Sequence, residues 1–178
     1  YRNNLKVTYR TIDTTTGKVV KEFPSISLND SMKELSKLKV KEWKDTPISK
    51  RIEYIKKIEK NLSDNKKKYG ELISKEIGRP IKLCTIEIEK CALSCRYYIE
   101  NSEEILKDEI IKTESFKSYV TFEPLGTVLG IMPWNYPFWQ AFRAIIPVMT
   151  SGNCFVLKHA SNVPQCALAI DEIMKKSG

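Results

Sequence analysis

Histidine is nearly absent from this chain, with a single one, His159, among 178 residues, and glycine is sparse at 7. No apolar run approaches the roughly 20 residues that a membrane-spanning helix needs, so no membrane partner is expected. The opening residues Tyr1-Arg2-Asn3-Asn4-Leu5-Lys6 lack the apolar core of a secretory signal, which leaves a cytoplasmic location as the default. Five cysteines, Cys84, Cys91, Cys95, Cys154 and Cys166, are an odd number without the dense spacing of a disulfide scaffold, and reduced thiols are expected. Cys91 and Cys95 could share a metal, but two thiolates with the lone histidine far away in sequence make a poor zinc set, and no metal is expected. The net charge of +8 raises the question of nucleic acid. The lysines are spread along the chain, and the densest run, Lys66-Lys67-Lys68, reads as a solvated helix face. No aromatic or glycine platform is interleaved with them, so no nucleic-acid partner is expected.

What is present is an ordinary globular balance, 42% hydrophobic and 29% charged, enough to bury a core. Leu5 to Ile12 and Lys18 to Phe23 read as strands joined by Thr14-Thr15-Thr16-Gly17, an antiparallel hairpin forming a peripheral ribbon. Asn29-Asp30 offers an N-cap for a helix through Glu42 with Met32, Leu35 and Leu38 on one face. Thr46-Pro47 opens a second helix, with Ile48, Ile52, Ile55 and Leu62 as its apolar stripe. Asp64 is placed to cap a third, which carries Tyr69, Leu72, Ile73 and Ile77 and ends at Gly78, with Pro80 as a stop. A long helix from Ile81 to about Glu104 sets Cys84, Ile88, Cys91, Cys95 and Tyr98 in one stripe, where free cysteines act as small buried hydrophobes. Asp108 to Phe122 then alternates weakly, as a hairpin of Ile110-Ile111-Lys112 and Tyr119 to Phe122.

The stretch from Glu123 to Ser161 reads as strand, turn, helix, strand, turn. Thr127 to Met132 suits a strand buried on both faces, and Pro133-Trp134-Asn135-Tyr136-Pro137 stops it. Pro137 opens a helix with Phe138, Phe142, Ile145, Ile146 and Met149 at helical spacing until Ser151-Gly152-Asn153 breaks it, and Cys154 to Leu157 is a second strand. After Ser161 comes a final helix, with Pro164 in its first turn and Cys166, Ala167, Ile170, Ile173 and Met174 facing inward. Two strands joined by a helix form a parallel crossover unit whose carboxyl ends, Pro133-Trp134-Asn135 and Lys158 to Ser161, share the sheet edge where open α/β sheets bind ligands.

The run EPLGTVLGIMPWNYP followed by GNCFVLKHAS resembles the NAD(P)-dependent aldehyde dehydrogenase family, of the succinate-semialdehyde dehydrogenase type, and the likeness extends from Tyr9-Arg10-Thr11-Ile12-Asp13 to Lys176-Ser177-Gly178. The resemblance implies an α/β fold: an incomplete Rossmann-like parallel sheet of the cofactor domain, with an amino-terminal helical layer and a bridging β-hairpin. Residues 1–107 would be the hairpin and helical part of that domain, 108–123 the bridging hairpin that pairs with a neighbouring subunit, and 124–178 the first strand-helix-strand-helix unit. A simple surface hairpin is the alternative for 108–123. The implied activity is oxidation of a semialdehyde, succinate semialdehyde first, to the acid with NAD or NADP. The implied partners are a small-molecule aldehyde with a carboxylate and, in the complete protein, further copies in a homo-oligomer. The family's cofactor helix, general-base Glu and nucleophilic Cys lie beyond the point matching Gly178, so the chain resembles an amino-terminal segment that is inactive by itself. A truncated, non-catalytic member serving as an assembly or nucleotide-binding module is the competing reading.

Individual residues follow from the match. Asn135 matches the family's oxyanion donor, a role that an amide at a strand's carboxyl end can fill; holding a tight turn between two prolines is the alternative. Ile131, Met132, Pro133 and Trp134 match the cofactor-contacting strand end, or are sheet core. Lys158 matches the lysine that binds the adenosine ribose, or is a solvated strand-end lysine; Ala160 lies in the same cofactor wall. Ser161 stands where many NAD-preferring relatives have Glu; a neutral Ser removes the repulsion of a 2′-phosphate, so NADP is tolerated, and Ser161 is also placed to N-cap the last helix. Arg143, eight residues after Asn135, with Phe138, Trp139 and Phe142, is expected at the mouth of a substrate tunnel, where a guanidinium suits a carboxylate; a solvent-facing helical Arg is the alternative. His159 is expected to be a surface or turn residue. Gly126 and Gly130 are not a GxGxxG fingerprint.

Overall fold

The computed structural model describes residues 8–178. An antiparallel hairpin, β1 (Thr8–Ile12) and β2 (Val19–Pro24), opens the chain; the part of the expected first strand before Thr8 lies outside the described residues. Helices α1 (Leu28–Ser36), α2 (Val40–Lys44), α3 (Ile48–Asp64), α4 (Lys66–Ile77) and α5 (Ile81–Ile105) follow. Then come a short antiparallel pair, β3 (Glu109–Ile110) and β4 (Tyr119–Val120), and the crossover β5 (Thr127–Ile131), α6 (Pro137–Thr150) and β6 (Cys154–Lys158), closed by α7 (Pro164–Ser177).

The core lies where α3, α4 and α5 pack on α6 and α7. Ile55, Ile58 and Leu62 of α3, Ile73 of α4 and Ile88 of α5 meet Phe138, Phe142 and Ile146 of α6 and Ile170 and Ile173 of α7, all fully buried or nearly so. Cys84, Cys91 and Cys95 are buried there as small hydrophobes. Gly78 closes α4 in the left-handed region at φ 70°, a conformation that costs side-chain-bearing residues about 1–2 kcal/mol, and Pro80 then precedes α5.

Four local expectations are corrected. The helix expected from Asn29-Asp30 to Glu42 is two: Ser27, whose Oγ accepts the Asp30 N–H, caps α1, and the chain turns at Lys37 before α2. Met32 and Leu35 remain exposed, so no core contact extends α1, and the turn carries Trp43 to α6, where its Nε1–H donates to the Met149 carbonyl at 3.1 Å. Asp64 ends α3 rather than capping α4; Asn65 is the junction, its amide donating back to the Asn61 carbonyl at 2.9 Å. Ser161 does not cap α7, whose N-cap is Val163. β5 is not buried on both faces: Gly130 faces the core, whereas Leu129 and Ile131 are 61% and 71% exposed, because the helices cover only one face of the two-stranded sheet.

The crossover is parallel, with Thr127 opposite Cys154 and Ile131 opposite Lys158, and the Met132 N–H donates to the Lys158 carbonyl at 3.0 Å to extend the ladder by one bond. At the other end Asn153 fixes the start of β5, its Oδ1 accepting the Gly126 N–H at 2.8 Å.

Candidate functional site

Both parallel strands end at one edge, and the residues from Met132 to Pro137 and from Lys158 to Ser161 stand there together. The turn after β5 is forced by its composition: Pro133 and Pro137 donate no N–H, so the ladder stops, and Pro137 restarts the chain as the first residue of α6. Asn135 lies exposed in this turn, and among the described residues no protein group hydrogen-bonds its side-chain amide.

The backbone of the turn is held from three sides. Arg79, just after α4, donates from Nη1 to the Asn135 carbonyl at 3.3 Å, and its guanidinium lies 4.1 Å from the centroid of the Tyr136 ring. Glu87 of α5 accepts the N–H groups of Phe138 and Trp139 on Oε1 at 2.9 and 3.0 Å, and its Oε2 pairs with Arg79 Nη1 at 2.9 Å. A carboxylate at the N–H groups of a helix start, which have no partner within the helix, compensates both those donors and the positive end of the helix dipole. Burial pushes the Glu87 carboxyl above its usual range, against the two N–H bonds and Arg79, which favour the charged form.

His159 holds the third side. Its Nε2 contacts the Pro137 carbonyl at 2.9 Å and its Nδ1 accepts the Ala160 N–H at 2.8 Å. A carbonyl can only accept and an amide N–H only donate, so the ring is the neutral Nε2–H tautomer. Burial, helped by Lys158, holds its pKa below the usual 6.5, although the Pro137 bond and Glu76 oppose this. His159 is thus a half-buried turn residue with both nitrogens committed.

The other expected site residues divide. Lys158 and Ser161 are exposed at the edge, Ala160 is half-buried beside them, and Ile131, Pro133 and Trp134 are exposed rather than sheet core; only Met132 of that group packs on the core. Arg143 is exposed on α6. Phe138 and Phe142 are not at a tunnel mouth: both are fully buried, stacked at 6.1 Å between centroids, because they share the α6 face that meets α5. Trp139 is half-buried, with Lys90 Nζ 4.1 Å from its ring centroid. A groove of about 520 Å³ lies elsewhere, between the carboxyl half of α6, β6 and α7, and contains none of the expected site residues. Among the described residues no cluster of His, Cys, Asp or Glu is placed to hold a metal, and no helix is long and apolar enough to cross a membrane.

Arg79, Glu87 and Glu76 did not emerge as site or scaffold residues from sequence. Glu76 repeats the role of Glu87 at the next helix, accepting the Gln165 and Cys166 N–H groups at 3.0 and 2.9 Å at the start of α7. A signal existed for both glutamates. Each occupies an apolar-stripe position, Glu76 in line with Tyr69 and Ile73, and Glu87 with Cys84 and Cys91, where a carboxylate requires a buried donor.

A parallel β–α–β crossover backed by a helical layer, with its turn and strand-end polar groups gathered at one sheet edge, is an α/β arrangement of the Rossmann-like kind. The chain belongs to the aldehyde dehydrogenase family, which it matches over residues 1–178. It is 38% identical over 171 residues to a probable NADP(+) succinate-semialdehyde dehydrogenase of Synechocystis, and 34% identical over 169 residues to the NAD(P)+ succinate semialdehyde dehydrogenase Sad of Escherichia coli K12. Each match covers 94% of this chain and 37% of the relative, so the chain spans little more than a third of those proteins. The fold superimposes on succinic semialdehyde dehydrogenase from Streptococcus pyogenes, solved in complex with NADP+, with a TM-score of 0.90 at 28% identity, covering 96% of this chain and 38% of that one.

Proposed function

We propose that this chain is the amino-terminal part of an NAD(P)-dependent aldehyde dehydrogenase that oxidises a semialdehyde, with succinate semialdehyde the favoured substrate. The observation that carries the reading is the turn after β5, which presents an Asn135 amide without a protein partner among the described residues, at the same sheet edge as Lys158. When a thiolate adds to an aldehyde carbon, charge develops on the carbonyl oxygen, and a preorganised amide N–H is worth most there. Asn135 is the donor in this reading. Lys158 holds ribose hydroxyls or phosphate oxygens, the exposed strand end from Ile131 to Trp134 lines the cofactor with Ala160, and bound NAD(P)+ supplies the hydride acceptor. Ser161, exposed and neutral, leaves room for a 2′-phosphate, so NADP is accepted as well as NAD.

The nucleophile comes from outside residues 1–178. Cys84, Cys91, Cys95 and Cys166 are buried and burial raises their thiol pKa, Cys95 to about 12. Cys154 is also raised and stands at the start of β6, the opposite end of the strand from Lys158. A thiol is a nucleophile only as thiolate, so none of the five suits the chemistry. Arg143 is the proposed clamp for the substrate carboxylate: it is exposed on α6 roughly 9 Å along the helix axis from Pro137, a distance the rise per residue sets. Trp139 would line the same approach. The complete protein is proposed to assemble as a homo-oligomer, with the β3–β4 hairpin bridging between copies.

The test is steady-state oxidation by the full-length protein, with succinate semialdehyde and an uncharged aldehyde of similar length, each with NAD+ and NADP+. Preference for the carboxylated substrate supports the reading, and residues 1–178 alone are expected to give no turnover. Turnover by residues 1–178 that survives loss of all five cysteines would overturn it.

A further inference from the structure

We propose that Arg79, clamped by Glu87, is the positioning residue that fixes the Asn135 amide for catalysis. The proposal rests on the reading of Asn135 as oxyanion donor. The Asn135 side chain has no protein partner among the described residues, so its placement depends on the backbone that carries it. That backbone is an exposed turn, outside the packed core, and one ion pair brackets it. Arg79 takes the Asn135 carbonyl and the Tyr136 ring, while Glu87 takes the N–H groups of Phe138 and Trp139. A further bond, from Arg79 Nη2 to the Leu83 carbonyl at 3.2 Å, fixes the guanidinium to the first turn of α5. Glu87 is fully buried at its side chain and Arg79 is 21% exposed, so each is held by the other in a setting where loss of one partner is costly.

The shape of the guanidinium matters as much as its charge. It sits 4.1 Å from the centroid of the Tyr136 ring while its two terminal nitrogens donate to Glu87, to the Asn135 carbonyl and to the Leu83 carbonyl, a combination that a single ammonium cannot reproduce. Helix packing alone would require only the bonds from Glu87 to α6. The contacts from Arg79 to Asn135 and Tyr136 reach past the helix into the turn, and they are what points to positioning of the site.

A double-mutant cycle in the full-length protein tests this, with kcat for succinate semialdehyde and NADP+ read for wild type, Arg79→Met, Asn135→Ala and the double variant. A misplacement of about 1 Å can cost on the order of a hundredfold in rate, so Arg79→Met alone is expected to lower kcat by roughly ten- to a hundredfold with little change in the KM for NADP+. In the Asn135→Ala background the same change should cost under about threefold, because the group it positions is gone. Arg79→Lys should recover part of the loss. If Arg79→Met does not fold, Glu87→Gln, which keeps the shape but releases Arg79, replaces it in the cycle. Losses that multiply in the double variant overturn the proposal while the oxyanion reading stands. An Asn135→Ala variant with wild-type kcat overturns both.

Discussion

Thr11 Oγ1 donates to Glu76 Oε1 at 2.6 Å, joining two buried residues 65 positions apart. The same carboxylate receives the first N–H groups of α7, so one side chain ties the amino-terminal hairpin to the last helix of the crossover unit. The ribbon that sequence placed at the periphery is therefore anchored at one buried threonine.

Glu76→Gln keeps the shape but turns an NH2 towards donors that need an acceptor. It should destabilise the full-length protein by about 1–3 kcal/mol, the cost of a buried polar group left unpaired. Thr11→Val, which removes one donor and leaves the α7 bonds intact, should cost less. Chemical denaturation orders the two; a larger loss for Thr11→Val would mean that hairpin packing, and not the carboxylate, carries the connection.

His159 gives a pH dependence with a definite sign. Its folded pKa is lowered by burial, so the unfolded chain takes up a proton first as pH falls. The stabilisation is whole above the usual 6.5 and is lost as pH falls from there through the folded value. In melting experiments His159→Gln should therefore lie further below wild type at about pH 7.5 than at about pH 5. Parallel curves would show that the imidazole does not titrate with unfolding.

Much of this architecture was legible in sequence because it rests on local rules. Pro137, Pro164 and Gly78 mark helix ends through their own backbone preferences, and the stripe through Cys84, Cys91 and Cys95 gives the buried face of α5. The helix caps were not legible, because Glu76 and Glu87 act on residues 89 and 51 positions away. The exposure of Leu129 and Ile131 was hidden for a related reason: apolar runs do not say how many layers cover a sheet. For the candidate site, the turn composition placed Asn135 just past the end of β5, whereas Arg79, distant in sequence, carried no local mark.

Gly130 marks a close approach inside the sheet. A Cβ there would meet Phe155 Cζ at 2.1 Å and Met132 Cε at 2.9 Å. Gly130→Ala should push the Phe155 ring off its contacts and cost about 1–3 kcal/mol by overpacking. Thermal denaturation checks this, and a melting temperature unchanged within error would mean that the ring has room to move.

Arg143→Ala separates substrate recognition from chemistry. A charge-assisted hydrogen bond contributes about 1.5–3 kcal/mol, so KM for succinate semialdehyde should rise roughly ten- to a hundredfold while an uncharged aldehyde of similar length is hardly affected. Equal weakening of both would make Arg143 a structural residue and remove the main support for a carboxylated substrate.

The most direct measurement is kcat of the full-length Asn135→Ala variant against wild type, with succinate semialdehyde and with an uncharged aldehyde, at saturating NADP+. Removing one oxyanion donor typically costs about 10²–10³ in kcat, and the oxyanion role of Asn135 predicts a loss of that order for both substrates with KM changed little, since the contact strengthens only as charge develops. A variant that retains wild-type kcat for both would contradict it.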